Sequence, residues 1–176
     1  MYKEISRELL DFLQKSPTAF HAVENIRNEL LENGFVEILE SQRWDITPGG
    51  KYFVTRNNSS IIAFHVGTKL DNYGFNVAAS HTDYPTFKIK ENAEIEVKGK
   101  YTQLNTEGYG GMLCATWFDK PLSIAGRVLV KEGNQFITRL LNIDRDLVLI
   151  PNMAIHMNRG VNEGYAYNKQ IDMLPL

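Results

Sequence analysis

The residues best suited to chemistry stand in one stretch, Val77-Ala-Ala-Ser-His-Thr-Asp-Tyr-Pro-Thr-Phe-Lys-Ile-Lys90. Within it Asp83 follows His81 two places on, and Pro85 follows Asp83 at the same interval. An imidazole beside a carboxylate suits a metal ligand. A ligating ring usually gives its second N–H to such a group, which fixes its tautomer and orientation. The ordinary alternative is a polar loop at a strand end, and so short a pattern does not by itself decide between them. The apolar run Phe75 to Ala79 predicts a buried strand that delivers His81 and Asp83 to its carboxyl end. In open α/β sheets that edge is where ligands bind. Pro85, with no N–H and a fixed φ, should stop the strand and turn the chain.

A catalytic zinc wants about three protein ligands and an open position, and a two-metal site wants more. The chain has 4 histidines, His21, His65, His81 and His156. No two stand one helical turn apart, and no His-Glu-x-x-His is present. His21 lies beside the apolar stripe of a predicted helix and reads as a partly buried structural group. His65 ends a buried-looking strand; it reads as structural, with a second metal ligand as the alternative. No Gly-x-Ser-x-Gly elbow appears, and Cys114 reads as a small buried thiol. Gly108, Gly110 and Gly111 permit close backbone approach or positive φ. They precede no strand–helix phosphate unit, which excludes a dinucleotide site. Nearby Glu107 and Asp119 read as solvated or salt-bridged, and Trp117 and Phe118 as packing. From the residues alone, the chain offers one credible ligand and an incomplete site.

The elements that would position this ligand are of mixed type. Ile5, Leu9, Leu10, Phe12 and Leu13 predict an amphipathic helix over roughly 2–14. Ser16-Pro17 reads as N-cap and first position of a second helix. Its stripe is Phe20, Val23, Ile26, Leu30 and Leu31, and Asn33-Gly34 is its stop. Phe35 to Leu39 reads as a short strand. Lys51–Arg56 and Ser60–Val66 read as a hairpin closed by Asn57-Asn58-Ser59, and residues 67–73 as a polar connection. Alternating character predicts one half-exposed strand from Ile89 to Tyr101. Ile124–Val130, Gln135–Leu141 and Leu147–Ile150 are further strands, the first two joined at Glu132-Gly133-Asn134. The first ninety residues thus read as mixed α and β and the rest as mostly β, with a boundary near Glu91 to Ala93.

Composition adds exclusions. The chain's 176 residues are 43% hydrophobic and 11% aromatic, enough for a packed core. A net charge of −2 with scattered Lys and Arg gives no reason to expect nucleic acid or an anionic membrane. The single cysteine excludes an intrachain disulfide and a cysteine zinc knuckle. No apolar signal core follows the charged N-terminus, and no apolar run approaches the length of a membrane span. A cytoplasmic setting fits these features.

Six stretches stand out in order: Leu10 to Val23; Ala78-Ala-Ser-His-Thr-Asp83 with Pro85; Glu107 with Tyr109-Gly-Gly111; Thr116-Trp-Phe-Asp119; Pro121 to Val128; and Ile150 to Arg159. Together they resemble the M18 family of metallo-aminopeptidases, the aspartyl aminopeptidase-like enzymes. The resemblance implies an α/β fold: the N-terminal half of a zinc-exopeptidase-like catalytic domain over 1–92, then part of an inserted β-rich dimerisation domain over 93–176. It implies a two-zinc enzyme that releases N-terminal amino acids from peptides, in which a metal-bridging water attacks a polarised carbonyl after a glutamate takes its proton. By the match, His81 is a metal ligand and Asp83 the acidic partner that orients its ring. A homo-oligomer is expected, through that inserted domain or through exposed strand edges. The remaining metal ligands and the glutamate base are expected beyond the point matching Leu176, so the 176 residues alone are expected to be inactive. The alternatives are a non-catalytic oligomerisation module and a truncated inactive product. The pattern departs at Tyr84, where many members carry serine, and at Cys114-Ala115, where some carry tryptophan and histidine.

Overall fold

A computed structural model describes residues 2–69, 71 and 74–176. In chain order the elements are α1 (Tyr2–Lys15), α2 (Ala19–Glu32), β1 (Val36–Glu37), β2 (Lys51–Arg56), β3 (Ser60–His65), β4 (Thr86–Val97), β5 (Tyr101–Tyr109), β6 (Pro121–Leu122), β7 (Ala125–Glu132), β8 (Gln135–Asn142) and β9 (Val148–Leu149). Short 3-10 turns lie at Cys114–Trp117 and Val161–Glu163. Two compact units result: Met1–Tyr84 with Ala125–Asn142, and Pro85–Ile124 with Ile143–Leu176. The boundary expected near residues 91–93 falls inside the continuous strand β4. Of the connection expected over 67–73, residues 70, 72 and 73 lie outside the described residues.

In the first unit, α1 covers the predicted span but buries none of its residues. The start of α2 differs from the sequence expectation. Thr18, not Ser16, is the N-cap, with extended backbone and a side chain that accepts from the His21 N–H. Ser16 is engaged elsewhere: its N–H donates to Leu13 O, and its hydroxyl accepts from Asn25 Nδ2 at 3.0 Å. Pro17 therefore precedes the cap. The stop is as read from Asn33-Gly34. Gly34 takes φ +78°, its N–H donates to Leu31 O, and the Phe35 N–H donates to Leu30 O. That pair closes the helix with the left-handed residue that only glycine adopts without strain.

β1 is shorter than the expected strand and pairs parallel with β2, while β2 and β3 form the expected antiparallel hairpin. Asn57 (φ 53°) and Asn58 (φ 52°) turn it, as short polar side chains tolerate the left-handed region best. Phe53 at the centre of β2 is fully buried, and Val23 of α2 is 1% exposed; with Ala22, Tyr52 and Val54 they make this unit's core. β3 was expected to be buried, yet Ile62 is 67% exposed. It is the edge of the three-stranded order β1-β2-β3, so its outer side lacks the neighbour that a buried strand needs. The β7–β8 hairpin, turned at Gly133 (φ +60°), belongs to the same unit. Arg127 ties it down: its guanidinium sits 4.2 Å from the Phe20 ring centroid and donates to Asn57 O and Oδ1 at 2.9 and 3.0 Å.

In the second unit, the single strand expected from Ile89 to Tyr101 is a hairpin of β4 and β5. Lys98 (φ 51°) and Gly99 (φ 63°) reverse the chain before Tyr101. The register is also irregular between Ile89, opposite Thr106, and Glu94, opposite Leu104. Both features stay hidden when charged and apolar residues simply alternate, because neither the reversal nor the extra residues on β4 interrupt that pattern. β6 pairs antiparallel with the distant β9, Pro121 opposite Leu149 and Leu122 opposite Val148. Ile150 and Met173 are fully buried and centre this unit. Phe87 meets Trp117 edge-on at 5.1 Å, and Phe118 meets Tyr167 at 5.0 Å, so Trp117 and Phe118 are packing residues as read.

Candidate functional site

Residues 74–80 form no strand and are exposed throughout, with Phe75 at 90% and Val77 at 83%. The buried strand predicted to end at His81 is therefore absent. A strand exists only through its ladder of hydrogen bonds, and no described strand pairs with this segment. Apolar character alone does not make one.

The two candidate residues nevertheless meet. His81 Nδ1 lies 2.9 Å from Asp83 Oδ1. A carboxylate only accepts, so the ring proton belongs on Nδ1 and the Nε2 lone pair is left for a ligand. The His81 side chain is 89% exposed and that of Asp83 39%. Between and after them the chain is anchored by two hydroxyls that the sequence reading passed over. Thr82 Oγ1 donates to Ser59 O at 2.8 Å, and the Tyr84 hydroxyl donates to Pro17 O. Burial pushes the Tyr84 phenol above its ordinary value, which keeps it a donor. The signal that could have found them is their position: hydroxyl-bearing residues alternate with His81 and Asp83 in the sequence.

The other candidates are not gathered here. His21 Nδ1 is 2.8 Å from the cap hydroxyl of Thr18, and burial lowers its pKa from the ordinary value, so it is the structural group expected. His65 is exposed at the end of β3 and His156 lies in an exposed turn. Glu107 pairs with Lys88 at 3.7 Å. Asp119 is neither simply solvated nor salt-bridged: it accepts at 2.9 Å from the N–H of Asn152, 33 residues further along the chain. Cys114 is free and half-buried. Gly110 (φ +75°) lets its backbone approach Pro85, whose Cα would stand 3.3 Å from an added Cβ. Among the described residues no three His, Cys, Asp or Glu side chains converge on one point. A hollow of about 400 Å³ lined by Ile26, Glu29, Leu30, Asn33, Phe35 and Lys51 includes neither His81 nor Asp83. Tested against zinc, the described residues supply one oriented imidazole and not a complete ligand set.

The family described as Aminopeptidase I zinc metalloprotease (M18) matches residues 12–176. A probable M18 family aminopeptidase 2 from Clostridium acetobutylicum is 51% identical over 176 residues, covering 98% of this chain and 41% of the relative. Among solved structures, a chain in the cryo-EM structure of the Ape4 and Nbr1 complex aligns with a TM-score of 0.91 at 42% identity, covering 99% of this chain and 34% of that one. A chain of the S. cerevisiae mApe1 dodecamer aligns with a TM-score of 0.74 at 28% identity, covering 88% of this chain and 37% of that one. The chain belongs to the M18 aminopeptidase family, and its mixed helix-and-strand fold is that of the corresponding part of its relatives. It spans about two fifths of the length of the curated relatives it matches, 41% for the clostridial protein.

Proposed function

We propose that this chain is part of a zinc-dependent aminopeptidase that removes N-terminal amino acids from peptides, and that it contributes the first metal ligand, His81, with Asp83 as its orienting partner. The observation that carries this reading is the 2.9 Å bond from Nδ1 to Asp83 on a ring that otherwise faces solvent. Family membership over residues 12–176 supports the zinc chemistry. One imidazole does not hold a catalytic metal pair, so the two-ion site needs ligands from residues other than the described ones. The whole protein is a homo-oligomer working in the cytoplasm on peptides, not on nucleic acid or membrane. Large apolar side chains left exposed, such as Leu10, Leu129 and Phe136, suit burial against further chain or subunits, and the yeast relative's dodecamer is a precedent. Among the described residues no helix is long and apolar enough to cross a membrane.

The test uses the whole protein and the chain in parallel. His81→Ala in the whole protein should abolish peptidase activity, and Asp83→Asn should weaken zinc binding about 10- to 100-fold. The isolated chain, with added zinc or cobalt, should cleave no aminoacyl substrate. Cleavage by the isolated chain that is lost on chelation, or full activity of the His81→Ala protein, would overturn the proposal.

A further inference from the structure

We propose that Thr82 and Tyr84 are the positioning residues of the His81–Asp83 pair, a role that rests on the reading of His81 as a metal ligand. The pair sits at the end of an exposed segment without strand pairing, so no sheet ladder orients it. Left to itself such a segment samples many conformations, and two side chains two residues apart would meet only part of the time. Yet the pair is closed at 2.9 Å.

What holds it is the pair of hydroxyls that alternates with it in the sequence. The chain bends at Thr82, and His81 and Asp83 meet each other. Thr82 and Tyr84 instead reach back to two fixed points of the first unit. Thr82 Oγ1 donates to Ser59 O, in the turn of the β2–β3 hairpin and 23 residues earlier in sequence. The Tyr84 hydroxyl donates to Pro17 O, in the connection between α1 and α2 and 67 residues earlier. Both acceptors are main-chain carbonyls adjoining regular elements, so they are set by the hairpin and by the capped helix, not by loose side chains. Thr82 and Asp83 are half-buried whereas His81 is exposed. The segment is thus pinned just after His81 and just after Asp83, with the imidazole exposed. The two anchors flank Asp83, and beyond them Pro85 fixes its own φ.

The test is made on the metal-free chain by nuclear magnetic resonance of isotope-labelled histidine, at a pH well above the ordinary imidazole range so that the ring is neutral. The readout is the fraction of His81 protonated on Nδ1, which a merely structural role for Thr82 or Tyr84 would leave unchanged. Thr82→Val and Tyr84→Phe each remove one donor with little change of shape. Each should lower that fraction about threefold or more, the scale of one modest hydrogen bond, and Thr82→Ser should restore it. Far-UV dichroism and the unfolding transition report whether each variant is folded. Should Thr82→Val fail to fold, the decision falls to Tyr84→Phe and to Thr82→Ser, which keeps the wild-type spectrum if the hydroxyl is the anchor. Folded Thr82→Val and Tyr84→Phe chains with a wild-type His81 spectrum, or a Thr82→Ser chain that resembles Thr82→Val, would overturn the proposal. In the whole protein Tyr84→Phe should weaken zinc binding about tenfold. If zinc leaves the His81 resonances of the whole protein untouched while the metal-free tautomer still responds to both variants, the ligand reading fails and the positioning one stands.

Discussion

Removing the guanidinium of Arg127 should detach the β7–β8 hairpin from the helix and hairpin it rests on. The group makes three contacts at once: the Phe20 ring at 4.2 Å, Asn57 O at 2.9 Å and Asn57 Oδ1 at 3.0 Å. Arg127 is half-buried and Asn57 exposed, so the hydrogen bonds belong at the low end of the range for charged donors, about 1–1.5 kcal/mol together after allowance for solvent. The ring contact adds about 0.5–1 kcal/mol. Arg127→Ala should therefore destabilise the chain by roughly 2 kcal/mol. Arg127→Lys keeps the charge but not the planar fork, and should lose about half as much. Urea unfolding checks this through a lower midpoint at unchanged slope. A double-mutant cycle with Phe20→Leu should give a coupling of about 0.5–1 kcal/mol. Amide exchange in β7 and β8 should speed up more than exchange in β2. A loss below about 0.5 kcal/mol for Arg127→Ala, or no coupling to Phe20, would refute the idea that this residue fastens the hairpin.

Three further outcomes are expected. Thr18→Ala should destabilise by about 1 kcal/mol through loss of the α2 cap, whereas Ser16→Ala should act only through its Asn25 contact; equal helix loss by dichroism in both variants would show the cap assigned wrongly. Gly110→Ala should destabilise by about 1–3 kcal/mol, since its φ of +75° disfavours a side chain and an added Cβ would crowd the Pro85 backbone at 3.3 Å; a stability equal to wild type in thermal unfolding would contradict this. His21 has a folded pKa lowered by burial, so the unfolded state binds more protons as pH falls through and below the ordinary value of 6.5. Stability should be unaffected by this group above that pH and should decline below it, and His21→Asn should flatten that part of the profile measured by urea titration.

How far the chain can be read without its structure depends on the reach of each signal. Asn33-Gly34 ended α2 as expected because the closing hydrogen bonds span only Leu30 to Phe35. The hairpin turns at Asn57-Asn58 and Gly133 were legible for the same reason: the left-handed backbone is a property of the residue itself. The Lys98-Gly99 reversal is as local but was missed, because alternation ran on through it and a single strand accounted for the same pattern. Ser16 and Thr18 are both good caps, and only the competing bond from Asn25 to Ser16 decides between them. The M18 membership itself was carried by ordered motifs, which need no coordinates.

His81 and Asp83 were likewise legible in the sequence as a chemical pair, since side chains two residues apart are within reach of each other. Their support was not. The predicted strand at Phe75–Ala79 failed because pairing is a property of the neighbouring chain and not of apolar residues. The anchors that stand in its place, Thr82 to Ser59 and Tyr84 to Pro17, join positions 23 and 67 residues apart. No local pattern encodes such contacts. They exist because the folding of α1, α2, β2 and β3 brings two main-chain carbonyls within reach of two hydroxyls, and only the tertiary structure decides that.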